Sequence, residues 1–232
     1  MVIVGFDTCL GACSVALGDG LGSASPRRAS RFEVMAAGHA ERLMPMLDEV
    51  LSELGLELRS VSRILATVGP GTFTGTRISV ATARALHLAL RVPVVTMTSL
   101  EVMALSPALT GIESGRDLLI ASDAHRGEAY VQLFDGATRA ALGAPRVVSV
   151  TDVSWLPQDR ALVIAGSASA AIRAASKDRD LVAGPIGLLP RIADALENAV
   201  AQPLSVGAPT PLYLRPPDAK PQDGKSLARA AL

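Results

Sequence analysis

Residues 69–77 read GPGTFTGTR, three glycines and three threonines between an apolar run (Ile64 to Val68) and a long helical pattern. Glycines at a strand-to-helix turn permit the φ > 0 geometry in which successive backbone N–H groups face an anion. A helix N-terminus favours the same charge. Gly69, Gly71, Thr72 and Gly75, with Asp7 at the end of the first strand, are therefore a candidate nucleotide or phosphate site. No lysine follows as in a Walker loop, and the nearby cation is Arg77. A second reading needs no ligand: the glycines make a sharp turn and let helix and sheet approach, with Thr72 or Thr74 as N-cap. Both readings stay open, and hydrolysis is not expected of either.

Other candidates are poorer. Cys9 and Cys13 supply half a metal site, and His39, His87 and His125 are scattered, so no metal is expected and the cysteines read as buried thiols. Asp7 and Asp123 read as carboxylates bonding their own hairpin turns. His125, Arg126 and Glu128 read as a solvated turn, and Trp155 and Tyr213 as packing residues.

The elements that position these residues repeat. DTCLGACSVAL (7–17) and DAHRGEAYVQL (123–133) share Asp, Gly, Val and Leu at matching positions, each after an apolar strand. Each copy reads as strand, tight Gly turn and returning strand, which predicts two copies of a β-hairpin-led α/β unit. In the first, strands are expected at 1–7, 12–18 and 31–36, a helix at 40–54, a strand at 64–68, a helix at 76–90 and a strand at 92–97. In the second, strands are expected at 117–123, 128–135, 145–149 and 161–165, then a short helix and a last helix near 188–201. The Pro/Gly/Ser-rich stretch 106–115 predicts the boundary: a first unit over 1–105, a second over 106–215 whose last helix is able to pack back on the first, and a flexible tail over 216–232.

The two helices of the first unit are apolar over more than one face. Ile78, Ala81, Ala85 and Leu88 form a stripe on the second, with Thr82 beside it, and the small residues permit close helix approach. The first helix offers Leu43, Met46, Leu47 and Val50, and its Pro45 belongs in the first turn or makes a kink. These nine residues are expected at a partner interface; the competing reading is that both helices are internal core.

The chain has 232 residues, 49% hydrophobic and 19% charged, with 22 basic and 22 acidic side chains. That balance argues against wrapping nucleic acid by bulk charge. The apolar runs fall short of a membrane span and the N-terminus lacks a basic flank, so a cytoplasmic protein is expected.

Five blocks, FDTCLGACSVAL, HAERLMPMLDEVL, GPGTFTGTRI, SDAHRGEAYVQLF and PLYLRP, stand in the order seen in the TsaB (YeaZ) family, and the chain resembles that family to about residue 216. The resemblance implies an actin-like (ASKHA) α/β fold of two duplicated subdomains. It also implies a role without catalysis in synthesis of threonylcarbamoyladenosine on tRNA, beside the catalytic paralogue TsaD and the ATPase TsaE. The uncovered apolar helices predict a homodimer when alone, and contact with tRNA only through the complex, no membrane, and no cofactor beyond weak nucleotide binding are also expected. The catalytic paralogues carry an acidic pair in the first hairpin turn and two metal-binding histidines four apart. Here the turn reads Leu10-Gly11-Ala12 and VTMTSLEVMAL holds no histidine. The alternatives are an actin-like-fold small-molecule kinase and a glycoprotease-type metalloenzyme. The first is disfavoured by chain length and the lack of a catalytic acid, the second by the missing ligands.

Overall fold

The structure is a computed structural model that describes residues 1–111, 115–176, 179–202, 204 and 208–215; the expected tail over 216–232 lies outside the described residues. The first unit contains β1 (Val2–Asp7), β2 (Ala12–Asp19), β3 (Arg27–Val34), α1 (His39–Leu54), β4 (Arg63–Thr67), α2 (Phe73–Leu90), β5 (Val94–Met97) and α3 (Ser99–Ala104). The second contains β6 (Asp117–Asp123), β7 (Glu128–Phe134), β8 (Arg146–Ser149), β9 (Leu162–Ala165), α4 (Ser169–Ala175) and β10 (Leu181–Ala183), followed by a 3-10 turn at Ile192–Ala195 and α5 (Asn198–Ala201).

The sheets run β3-β2-β1-β4-β5 and β10-β9-β6-β7-β8. Reversing the second gives β8-β7-β6-β9-β10, the first order strand for strand. In both, the opening hairpin and third strand pair antiparallel and the last two strands pair parallel. The repeat seen in the residues is thus a repeat of topology, and the architecture is the duplicated α/β arrangement of the actin-like fold. The units differ after the third strand, where α1 has no counterpart between β8 and β9.

Strand alternation sorts the core into layers. Val4 and Phe6 of β1, Val15 and Leu17 of β2 and Ile64 and Ala66 of β4 meet Leu43, Met46, Leu47 and Val50 of α1 and Ala83 and Leu86 of α2. On the opposite face, Ile3 and Leu65 meet Ile192, Ala195, Leu196 and Ala199, so the end of the second unit covers the first sheet. A Cβ on Gly5 would lie 2.9 Å from Ile192 Cγ1, and Ser14 Oγ accepts from Ile192 N at 3.0 Å. The expected helix over 188–201 is therefore a 3-10 turn and one short helix. Its apolar residues keep the i, i+3, i+4, i+7 spacing while the winding tightens where it presses on the sheet.

Two further differences are local. α3 continues directly from β5, started by a capping box in which Thr98 Oγ1 accepts from Glu101 N and Glu101 Oε2 accepts from Thr98 N. Pro45 lies in the second turn of α1, on its exposed side, so the first-turn placement, one of the two that the sequence allows, is not the one found.

Candidate functional site

The glycine-rich loop is closed by the chain's own first hairpin turn. A Cβ on Gly71 would lie 2.1 Å from the carbonyl oxygen of Cys9, and one on Gly75 2.0 Å from that of Thr8. Thr72 N donates to Cys9 O at 2.7 Å and Thr8 Oγ1 donates to Gly75 O at 2.7 Å. Thr72 caps α2, its Oγ1 accepting from Gly75 N at 3.0 Å. Gly69 has φ 100°, and the Gly69–Pro70 bond is cis. The carbonyls of Cys9 and Thr8 thus lie against Gly71 and Gly75, and the Thr72 amide is engaged by the first of them.

Asp7 faces inward beneath that turn. It has no exposed surface; Oδ2 accepts from Thr67 Oγ1 at 2.5 Å and from Ser99 Oγ at 3.5 Å, and Oδ1 from Cys9 N at 3.3 Å. Burial pushes its pKa up to about 7 against the pull of these donors, so a proton is held here over part of the neutral range. Burial and the neighbouring Asp7 push the Cys9 thiol up to about 12, and Cys13 is raised to about 12 by burial first and Asp7 second. Neither is poised as a nucleophile. The structure therefore brings Gly71, Thr72 and Gly75 against Thr8 and Cys9 of the first hairpin turn, with Gly75 and Asp7 buried and Thr72 exposed.

At the other hairpin, Asp123 Oδ1 accepts from His125 N at 2.8 Å, as Asp7 does from the amide two residues on. His125, Arg126 and Gly127 all have positive φ (62°, 57° and 74°). Two consecutive non-glycine residues in this region are strained and need support from their surroundings. Arg215 supplies it: its guanidinium donates to the carbonyls of Ala124 (2.7 Å) and His125 (3.3 Å) and pairs with the Glu128 carboxylate. Two residues earlier, Tyr213 stacks on Phe73 with ring centroids 5.4 Å apart and accepts from Arg77 Nε at 2.9 Å. The PLYLRP block carried no assigned chemistry in the sequence; here it ties α2 of the first unit to the turn of the second.

The nine expected interface residues divide. Leu43, Met46, Leu47 and Val50 are buried in the first unit's own core, at 2% exposure or less, and are thereby removed from any docking surface. Ile78 packs partly against the same core and Thr82 is half-buried. Ala81 and Ala85 are exposed and Leu88 is 80% exposed. With Thr74, also exposed, the stripe runs 74, 78, 81, 85, 88, the alternating 4–3 spacing of a helix that packs against another helix. Arg77, Arg84 and Arg91 flank it, and residues 73–91 contain no Asp or Glu. Arg77 and Arg84 donate to neutral oxygens, on Tyr213 and Pro209. On α1, Glu41 and Asp48 are exposed and make no ion pair among the described residues.

Among the described residues no three His, Cys, Asp or Glu side chains gather closely enough to hold a metal, and no helix is long and apolar enough to cross a membrane. Two surface depressions lie away from the loop. One, of about 590 Å³, is bordered by Leu51, Leu56, Leu58 and Leu90. The other, of about 280 Å³, is bordered by Leu119, Leu133, Arg146 and Trp155.

Comparison with known proteins matches residues 32–204 to the family described as TsaD: tRNA N6-adenosine threonylcarbamoyltransferase. An uncharacterised protein of Mycobacterium leprae is 34% identical over 83% of the chain and 49% of its own length. The tRNA threonylcarbamoyladenosine biosynthesis protein TsaB of Escherichia coli is 33% identical over 56% of the chain and 53% of its own length, so the chain matches about half the length of these two curated relatives. A solved structure of YeaZ from Pseudomonas aeruginosa is 30% identical, covers 86% of this chain and 91% of that one, and superposes with a TM-score of 0.72.

Proposed function

The chain belongs to the TsaB (YeaZ) family, and from that premise we propose that it is a non-catalytic scaffold subunit in the synthesis of threonylcarbamoyladenosine on tRNA. In this reading it binds a TsaD-type catalytic paralogue and a TsaE-type ATPase, reaches tRNA only through that complex, and pairs with a second copy of itself when alone. The observation that carries the reading is the exposed face of α2. Thr74, Ala81, Ala85 and Leu88 form a small, apolar stripe at helix-packing spacing, bordered by arginines and free of acids. Small side chains let a second helix come close, and the arginines select one with carboxylates at its edge. Glu41 and Asp48 give α1 of a second copy that character, which favours a two-fold pairing of α1 with α2.

A role without chemistry of its own is supported by the first hairpin. Its turn, Leu10-Gly11-Ala12, offers no acid, Asp7 is sealed from solvent, and the carbonyls of Thr8 and Cys9 lie against Gly75 and Gly71 of the glycine-rich loop.

Co-purification with the catalytic paralogue tests the reading. Wild type forms a stable complex. Ala85→Glu melts like wild type, because residue 85 stands in water, and loses the complex, because the carboxylate is trapped where a helix should lie. A full-strength complex with Ala85→Glu places the partner elsewhere; no complex with wild type removes the scaffold reading.

A further inference from the structure

We infer that Tyr213 is part of the docking face on α2 and that Arg215, by anchoring on the second unit, holds it there. The inference rests on the α2 reading above and extends the surface to a second, distant stretch of chain.

Residues 208–215 cross from one unit to the other, held by contacts at Pro209 and over Leu212–Arg215. Pro209 O accepts from Arg84 Nε at 2.7 Å, midway along α2. Leu212 N donates to Val68 O at 2.7 Å, continuing the hydrogen bonding of β4 beyond its end. Tyr213 reaches the first turn of α2, Leu214 is half-buried against a cluster that joins Leu10, Leu100 and Met103 of the first unit to Leu118, Ile120 and Phe134 of the second, and Arg215 closes on the turn at 124–128. The segment is pinned at both ends, and the large apolar side chain it exposes between the pins is Tyr213, 43% exposed against Phe73 at 45%.

These two rings are continuous with the stripe on α2. Phe73 and Thr74 open the helix whose later turns carry Ala81, Ala85 and Leu88, and Arg77 lies with its guanidinium carbon 3.6 Å from the centroid of Phe73 while donating to Tyr213. The result is an aromatic end on a basic, acid-free helix face. Rigid aromatic and arginine groups at the edge of a small-residue stripe are the groups that carry most of an interface's energy. The occupant that fits is an amphipathic helix with carboxylates along its border, presented by the paralogous subunit. The carboxylates face Arg77, Arg84 and Arg91, and an apolar side chain at the helix end meets the Phe73–Tyr213 pair.

Arg215 anchors on the turn of the second unit, so its part is positioning. It bonds two carbonyls of a strained turn and a carboxylate at once, a geometry suited to the planar guanidinium and beyond the reach of a single ammonium.

The test compares Tyr213→Ala, Arg215→Ala, Arg215→Lys and Ala85→Glu in binding to the paralogous subunit, together with amide exchange of each chain alone. We expect Tyr213→Ala to weaken binding about tenfold or more, as loss of an aromatic anchor does. Arg215→Ala is expected to weaken binding in the same direction and to speed exchange of the Ala124, His125 and Glu128 amides in the free chain by about tenfold or more, since even one of its three charge-assisted contacts is worth about that. Arg215→Lys falls between Arg215→Ala and wild type. If Ala85→Glu abolishes binding while both Tyr213→Ala and Arg215→Ala bind like wild type, this inference fails and the α2 reading stands. If wild type does not bind, both fail. If Tyr213→Ala weakens binding but Arg215→Ala changes neither binding nor exchange, the positioning role of Arg215 is overturned.

Discussion

The carbonyl oxygen of Cys9 occupies the space that a side chain at residue 71 would need, 2.1 Å from where the Cβ would stand. Backbone cannot retreat as a flexible side-chain tip can. Gly71→Ala should therefore destabilise the fold by about 3 kcal/mol or more, at or beyond the usual range for overpacking. Gly143→Ala is the control: nothing lies within 4 Å of its Cβ position, so the change should be within about 0.5 kcal/mol of neutral. Urea unfolding of both variants decides it, and equal midpoints would refute the closed-loop geometry.

The same closure predicts that nucleotide does not stabilise the isolated chain. A ligand that binds only the folded state raises the melting temperature by mass action. Millimolar Mg-ATP should leave the melting curve where it was, because the amide of Thr72 and the space beside Gly71 and Gly75 are already taken by Thr8 and Cys9. A concentration-dependent rise that Thr72→Ala abolishes would restore the phosphate-site reading.

Asp7 gives the protein a pH dependence of known sign. Its pKa is about 7 folded against 3.8 as the ordinary value, so below pH 3.8 both states are protonated and the site adds no pH slope. Between 3.8 and 7 the unfolded chain has released the proton while the folded chain keeps it, and stability falls as pH rises, levelling above 7. Asp7→Asn removes this dependence, so the difference in unfolding free energy between wild type and variant should shift against wild type from pH 4.5 to pH 8. Parallel pH profiles would show that the carboxyl is hydrated in the folded state.

How much of this could be read from residues alone depends on how local each cause is. The duplicated hairpins were legible because Asp, Gly, Val and Leu recur at fixed offsets, and strand alternation needs no tertiary information. α3 was legible in principle through the Thr98–Glu101 capping box, although the apolar run VTMTSLEVMAL obscured it. The setting of Asp7 was not, since its partners Thr67 and Ser99 stand 60 and 92 residues away. On α1, helical periodicity could show a wide apolar face but not what covers it, so Leu43, Met46, Leu47 and Val50 read as interface where the sheet in fact covers them. Tyr213 and Arg215 act through contacts 136 and 87 to 91 residues distant, which no spacing rule reaches.

The division of the two helices yields the last prediction. Leu47 is 2% exposed and packed inside the first unit, whereas Leu88 is 80% exposed on the stripe between Arg84 and Arg91. Leu47→Ala should cost roughly 2–5 kcal/mol of stability through lost burial and a residual cavity. Leu88→Arg should leave the melt within about 0.5 kcal/mol of wild type, as surface changes do. Association should respond in the opposite order. In a two-fold pair the same patch is used twice, so Leu88→Arg removes two apolar contacts and places two long charged side chains where the stripe should meet a close-packed helix. Light scattering at micromolar concentration should show wild type as a dimer and Leu88→Arg as a monomer, with Leu47→Ala still dimeric under conditions where it is folded. If Leu88→Arg remains a dimer, the copies do not meet through α2. If it unfolds the chain, the stripe is internal and the exposed face on which the scaffold reading rests does not exist.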